Sequence, residues 1–501
     1  MPGAVLIQQV TGRDITLLQL VASRHAAYCA RHGLAYWPVV GAVQFSREPQ
    51  WNQICLIRHA LEQGFETVLW VAAGALLVRS EQDVRLALEP GGGPLALAGH
   101  DPSGAEPDLW HCGVLMMRNT PDVRAFFDAL WRAGAVDERP VPVVELLAQY
   151  PGLMQRLPAR WYASEPFAAA DIPVVKAWVD LGPGAAVSIY DELKSLGALD
   201  GPTRAAAQSF VHGDNCVERA QEFRAKIPAC PGSLEGRGIV ICGGGAYFPS
   251  VWVNVRQLRR LGCTLPIQVW HLGAEEMDSH MRELLRPLGV ECVDALAVRE
   301  RHPARILNGW ELKPYALLHS PFRQALLLDA DNVAVLNPGF LFDAPEFTGA
   351  GAVFWPDYER MVPSREAWRV FDVPYRDEPE FETGQILIDK SRCWQALNLA
   401  MWYNEHSDFF YRHVWGDKDT FRFAWHKTGQ RFAMPPFPIH PLEDTMCQHD
   451  FSGRRLFQHR NGHKWKIRHP NKRIAGFLCE EECLADVERL KALWSGRVQR
   501  A

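Results

Sequence analysis

The chain alternates between short apolar runs and longer amphipathic stretches. VLWVAAGALLV (Val68 to Val78), GRGIVIC (Gly236 to Cys242) and LLLDADNVAVLNP (Leu326 to Pro338) are brief and rich in Val, Ile and Leu. Between such runs, apolar residues recur at helical spacing, as in Val251 to Leu261 and Ser391 to Asn404. Short continuous apolar runs bounded by glycine read as buried strands, and the longer periodic stretches read as helices. That alternation predicts an α/β architecture, a mostly parallel sheet with helices on its faces. A low-hydrophobicity segment within ACPGSLEGRG, residues 229–237, reads as a linker. EECLADVERLKALW reads as an amphipathic helix in a C-terminal tail, 476–501.

The two sides of that linker follow one plan. The first has Trp51-Asn52-Gln53, then VLWVAAGALLV, then HCGVLMMRNTP from His111, then FVHGDN from Phe210. The second has Trp310-Glu311-Leu312-Lys313, then LLLDADNVAVLNP, then TGQILIDK from Thr383, then FQHRNG from Phe457. Four landmarks in the same order predict a duplicated architecture. The expected domains are 1–228 and 238–475.

Composition narrows the function classes. A length of 501 residues allows several domains with large cores. A net charge of −5 predicts no nucleic-acid partner. The N-terminus lacks a basic n-region and a long apolar h-region, and no apolar run is long enough to cross a bilayer. With 12 scattered cysteines, this predicts a cytoplasmic protein without a transmembrane span. The Ala-, Arg- and Pro-rich composition gives the expectation of a bacterial source.

The chemistry concentrates at Asp329-Ala330-Asp331. Two carboxylates at alternate positions of a strand end point the same way and repel unless a cation lies between them. Strand carboxyl ends are where open α/β sheets bind ligands. Mg2+ and Mn2+ take oxygen ligands, commonly one or two carboxylates plus substrate phosphates. The first strand of this half ends in Gly243-Gly244-Gly245, which permits close approach of a ligand. It is not the GxGxxG of a dinucleotide fold. Downstream, LFQHRNGHKWKIRHPNKR carries His459 and Lys464, suited to complete a metal shell and to hold phosphate, or else simply a solvated basic face, one able to lean on a membrane surface.

Six ordered segments then carry a resemblance over roughly residues 236–470: GIVICGGGAYFPSVWVNVRQLRRLGCTLPIQVW, ELKPYALLHSPFRQALLLDADNVAVLNP, GAVFWPDY, FETGQILIDK, GDKDTFRFAW and QHRNGHKW. This half resembles a GT-A glycosyltransferase, most similar to the fungal α-mannosyltransferases and more distantly to the glycogenin-like retaining transferases. The resemblance implies two tandem Rossmann-like GT-A domains and transfer of a hexose, with retention, from a UDP- or GDP-linked donor. The acceptor would be a glycan, a lipid-linked glycan or another hydroxyl compound. It implies Mn2+ or Mg2+ on Asp329, Asp331 and His459, with Gly243, Gly244, Lys313 and Lys464 around the donor and Tyr247 near its base. Gly384 and Gln385 would line the sugar site. Asp417 and Asp419 would sit near the reacting sugar, although Lys418 departs from the glutamine of the glycogenin-like pattern. Trp355, Asp357 and Trp310 are candidates to cap the sugar pocket, and 18 tryptophans suit carbohydrate handling.

The first half resembles a GT-A domain of the plant xylosyltransferase and yeast galactosyl- and mannosyltransferase kind. Val71-Ala72-Ala73 stand where that family has acid-X-acid, and valine and alanine cannot ligate a cation. This half therefore reads as a degenerate transferase domain that binds acceptor, shapes the cleft or self-associates. A rival reading makes it a second, metal-independent site, with Arg118 as helper. A further alternative makes both halves non-catalytic binding modules for a glycan or a partner.

Overall fold

The computed structural model describes residues 3–10, 15–43, 51–99, 112–133, 143–157, 161–164, 174–177 and 185–498. His111, one of the repeat landmarks, lies outside them. The chain divides into two compact units, Met1–His212 and Gly213–Ala501. That division falls ahead of the break expected after 228.

The second unit is built on a six-stranded sheet ordered Val290–Asp294, Ile267–His271, Glu235–Cys242, Phe322–Asp329, Phe381–Asp389, Ala352–Pro356. The first four strands are parallel, and Phe381–Asp389 runs antiparallel to both its neighbours. The central strands carry apolar runs, Ile239–Ile241, Ala325–Leu328 and Ile386–Ile388, because both their faces are covered there. Ile239, Ile241, Leu326, Leu328 and Leu387 form one core with Phe248, Val251, Trp252 and Val255 of the helix Phe248–Arg260. The helix Glu480–Leu493 docks onto that helix: Asp486 accepts from Arg256 and Arg260, and the Trp252 indole N–H donates to the Asp486 carbonyl. The strand Glu235–Cys242 begins inside the stretch expected to be linker. Its register with Phe322–Asp329 starts at Glu235, and Gly238 is glycine because a Cβ there would lie 2.4 Å from the Phe322 ring. Low hydrophobicity at 235–237 marks a strand end at the sheet margin, not a break.

The first unit repeats the plan. Its sheet is ordered Ala35–Val40, Ala4–Val10, Thr67–Val71, Cys112–Arg118, Leu95–Gly99, Met154–Arg156. Three parallel strands, one fewer than in the second unit, are followed by one antiparallel strand, Cys112–Arg118, paired to Thr67–Val71. Thr67–Val71 thus occupies the position that Phe322–Asp329 holds in the second unit. The duplicated order read from sequence landmarks appears as a duplicated sheet topology.

In the second unit a further sheet lies beyond the carboxyl end of Phe322–Asp329. It runs Asn332–Ala334, Arg455–His459, Thr445–His449, His440–Leu442, all antiparallel. Its register pairs Asn332 with His459, which delivers the imidazole beside Asp331.

Candidate functional site

Asp329 closes the strand Phe322–Asp329, and Asp331 follows in the turn before Asn332. Asp329, Asp331 and His459 each offer a ligand atom within 4.8 Å of the other two, the one such metal-holding group among the described residues. His459 Nε2 is 3.2 Å from Asp331 Oδ1 and 3.7 Å from Asp329 Oδ2. Cis ligand atoms around a small octahedral divalent ion lie about 3 Å apart, so these spacings and the O,O,N donor set fit Mg2+ or Mn2+. Glu382 Oε1 sits 3.2 Å from His459 Nδ1 and orients the ring, as a carboxylate behind a histidine ligand does.

Cations surround the acidic pair. Lys313 Nζ lies 2.9 Å from Asp329 Oδ1 and 3.3 Å from Asp417 Oδ2, joining the two carboxylates. Lys464 Nζ lies 2.5 Å from Asp331 Oδ2. Burial pushes the Asp329 carboxyl up, against the opposing pull of Lys313 and His459. Burial would also raise Asp331, but His459 and Lys464 outweigh it and hold that carboxyl well below the usual range. Burial would lower His459, but Asp331 and Glu382 outweigh it and push the imidazole up to about 10. The sequence expectation that the acidic pair needs a counter-charge is met here by one imidazole and two ammonium groups.

These residues open onto a cavity of about 740 Å³. Gly243, Tyr247, Trp310, Lys313, Asp417 and Lys464 line it together with the cluster. Tyr247 stands 5.9 Å beneath the Lys464 ammonium. Thr383 Oγ1 donates to Asp417 Oδ2 at 2.9 Å and fixes that carboxylate at the start of the helix Asp417–Thr428.

Other sequence candidates lie elsewhere. Trp355 is fully buried, packs edge-on against Phe457 and donates to the His449 carbonyl, so it is core and caps no sugar. Gln385 is fully buried with its Oε1 accepting from Asn332 Nδ2, and it does not reach the cavity wall. Gly384 is not on the wall either; a Cβ there would lie 2.5 Å from His459 Nδ1, so the residue is the space the imidazole occupies. Asp419 is buried behind the wall, its Oδ2 accepting the Trp415 N–H at 3.1 Å. Asp357 is taken up, with Glu380, by Lys418. Gly244 packs on the Glu276 backbone, where a Cβ would meet the carbonyl at 2.5 Å. The lysine at 418 thus ties the 357–380 segment to the helix that presents Asp417.

Sequence reasoning missed Glu382, Glu311 and Trp415. Glu382 carries a legible signal, since an acid just ahead of the apolar run Ile386–Ile388 in a strand requires a partner when buried.

The corresponding position of the first unit is different in kind. Val71 and Ala73 are buried, and the Ala72 carbonyl accepts from Gln8 Nε2. Gln8 Oε1 in turn meets His25 Nδ1 and accepts from the Tyr36 hydroxyl. Burial pushes His25 down to about 3, so this network is neutral. Arg118, the expected helper of a metal-independent site, pairs opposite Thr67, at the far end of the strand from Val71, and donates to the Leu88 carbonyl. It is a structural arginine.

A known family matches part of the second unit. Residues 236–380 and 371–444 match the family described as "Mannosyltransferase putative". The chain is 29% identical over 268 residues to the α-1,2-mannosyltransferase MNN24 of Candida albicans, covering 44% of this chain and 37% of that protein. It is 24% identical to the α-1,2-mannosyltransferase MNN2 of Saccharomyces cerevisiae, covering 48% of each. The chain therefore spans about two fifths to half the length of these curated relatives. A solved galactosyltransferase, LgtC, in complex with donor and acceptor sugar analogues, aligns at 15% identity and a TM-score of 0.30, covering 39% of this chain and 73% of that one; so distant an alignment adds nothing to the assignment. The relatives compared, from Candida albicans and Saccharomyces cerevisiae, are fungal, which overturns the bacterial reading of the composition. The cytoplasmic expectation is overturned as well by the likeness to these fungal mannosyltransferases. Among the described residues no helix is long and apolar enough to cross a membrane. Within the second unit, the stretch that matches this family includes both carboxylates of the acidic pair, and the chain is similar to named α-1,2-mannosyltransferases.

Proposed function

We propose that the second unit transfers a mannosyl residue from a nucleoside-diphosphate donor to a hydroxyl of a glycan acceptor, with Mn2+ or Mg2+ as cofactor. The observation that carries this reading is the Asp329–Asp331–His459 cluster opening onto a cavity, with both carboxylates inside the residues that match the mannosyltransferase family. The mannosyltransferase relatives support GDP-mannose ahead of the UDP-linked sugars.

The residues divide the work. Asp329, Asp331 and His459 would hold the ion, which when bound neutralises charge on the diphosphate leaving group. Glu382 keeps the His459 ring aimed at the cluster. Lys464 and Lys313 place two ammonium charges beside it, where they stabilise negative charge developing as the anomeric bond breaks. Asp417, tied to Lys313 and Thr383, offers a fixed carboxylate toward the sugar, whose ring becomes positive in the transition state. The first unit, lacking carboxylates at Val71-Ala72-Ala73, takes no metal-bound donor and serves acceptor binding or assembly.

Titration calorimetry with GDP and with UDP, each with and without Mn2+, tests the reading, followed by a hydrolysis screen of GDP-mannose against UDP-glucose and UDP-galactose. Metal-enhanced GDP affinity and GDP-mannose turnover are expected. Nucleotide affinities indifferent to Mn2+ favour the non-catalytic binding protein instead, and metal-enhanced UDP affinity with UDP-sugar turnover reassigns the donor.

A further inference from the structure

The cavity wall carries two kinds of surface: the acidic pair with His459, Lys464 and Tyr247, and exposed aromatic rings. Trp310 is 59% exposed and Trp415 is 72% exposed, and both line the cavity. Exposed aromatic surface grouped at a cavity marks a place for a ligand or partner. Asp417 directly follows Gly416. Gly416 has φ +81°, and a Cβ on it would lie 2.7 Å from the Trp310 ring, so the indole rests directly on this backbone. The Tyr411 ring lies 6.1 Å from that of Trp310 and backs it. Asp419 accepts the Trp415 N–H and so fixes the backbone from which the second indole projects.

Next to Trp310 stands Glu311, 3% exposed and on the cavity wall. Its Oε2 is buried and has no hydrogen-bonding partner. A buried carboxylate oxygen left unsatisfied is costly and calls for a donor. A pyranose ring supplies both kinds of surface: an apolar face of C–H groups that stacks on an indole, and a rim of hydroxyls that donate to a carboxylate. In the proposed function the acidic pair, Lys313 and Lys464 hold the diphosphate and these rings do not, so the sugar assigned to the rings is the one that receives.

We propose that Trp310, Trp415 and Glu311 form the acceptor subsite, stacking the terminal pyranose of an α-linked mannose glycan and taking one of its hydroxyl protons in a hydrogen bond. This rests on the transferase reading of the same cavity.

The test uses the full chain and an α-linked mannobiose, titrated by saturation-transfer NMR with and without GDP and Mn2+. W415A and W310A should each weaken the disaccharide about tenfold, and W415Y, which keeps a ring, should recover most of the loss. E311Q should weaken it several-fold. Metal-linked GDP affinity in W415A should match that of the unaltered protein. Mannobiose affinity equal in W415A and the unaltered protein overturns the subsite. So does loss of GDP affinity in W415A with unchanged mannobiose affinity, which would give the ring to the nucleotide base. A dimer in sedimentation that W415A abolishes, with no glycan bound, gives it to a second copy. Metal-independent GDP and UDP affinity in the unaltered protein strikes the transferase reading alone, leaving ring-dependent glycan affinity as a separate result.

Discussion

Gly384→Ala is the sharpest probe of how the metal-holding cluster is built. The backbone there is ordinary strand, so the cost of the substitution is purely spatial. An added methyl would sit 2.5 Å from His459 Nδ1, 2.9 Å from its Cε1 and 2.7 Å from Glu382 Oε1. Ordinary van der Waals contact begins near 3.4 Å, so either the ring or the strand must move by about 0.9 Å (3.4 minus 2.5). The strand is pinned: its neighbour Gln385 is in register with Leu328, and the Gly384 carbonyl accepts from Asn332 Nδ2 at 2.8 Å. Glu382 is held by the Gly384 N–H at 2.7 Å. The ring therefore moves, and its 3.2 Å contacts with Asp331 and Glu382 open together.

Overpacking of this kind costs about 1–3 kcal/mol of stability. Loss of a ligand's orientation typically costs about 10–100-fold in metal affinity. Calorimetric titration of Mn2+ in the presence of GDP should show that loss, and urea unfolding should show the stability term. His459→Ala should lose metal affinity at least as far. In the double variant Gly384→Ala/His459→Ala the methyl meets no ring and only the Glu382 Oε1 contact remains, so part of the stability penalty of the glycine change should vanish, a non-additivity of up to about 1–3 kcal/mol. If Gly384→Ala binds Mn2+ as the unaltered protein does, the assignment of this glycine as the space for His459 is wrong. A role in lining the sugar site would then regain ground.

Three other outcomes follow from the geometry. Asp331→Ala should abolish metal-linked nucleotide affinity and turnover while the protein stays folded; undiminished transfer would remove the metal from the reaction. Asp419 has its carboxyl raised to about 6, chiefly by burial and then by Glu380. A folded-state value above the unfolded one gives stability that is full below about pH 4 and lost as pH rises through about 6. Asp419→Asn keeps the acceptor for the Trp415 N–H and should be more stable than the unaltered chain at pH 7, by up to about 3 kcal/mol for two pKa units, with the difference gone at pH 4; a pH-independent difference in urea melts would refute this. Trp355→Ala should cost about 3–5 kcal/mol as a core truncation, and Trp355→Phe should keep the donor KM unchanged; a raised donor KM in the phenylalanine variant would return Trp355 to the sugar pocket.

What the sequence made legible follows from how local each feature is. The buried strands announce themselves because parallel strands covered on both faces are apolar at every position, as in Ala325 to Leu328. Asp329 and Asp331 stand out because carboxylates in such a run demand compensation nearby. The duplicated sheet was readable because both units keep the same order of strands. The remainder depends on partners distant in the chain. His459 reaches Asp331 only through the pairing of Asn332 with His459, which no local pattern specifies; its residue type suited a metal shell, and the resemblance alone set it against this acidic pair. Trp355 was misplaced for a geometric reason. A register shift between Val353 and Trp355 interrupts the two-residue alternation that assigns side chains to faces. An aromatic in a strand beside a ligand site is therefore ambiguous from sequence until the bulge is located. Gly384 shows the same limit in reverse: its glycine is explained not by a ligand that approaches it but by a histidine 75 residues later (459 minus 384) that fills its missing side chain. The chemistry of this cluster is thus written in the acidic pair, while its precision is set by residues whose purpose appears only once the two sheets meet.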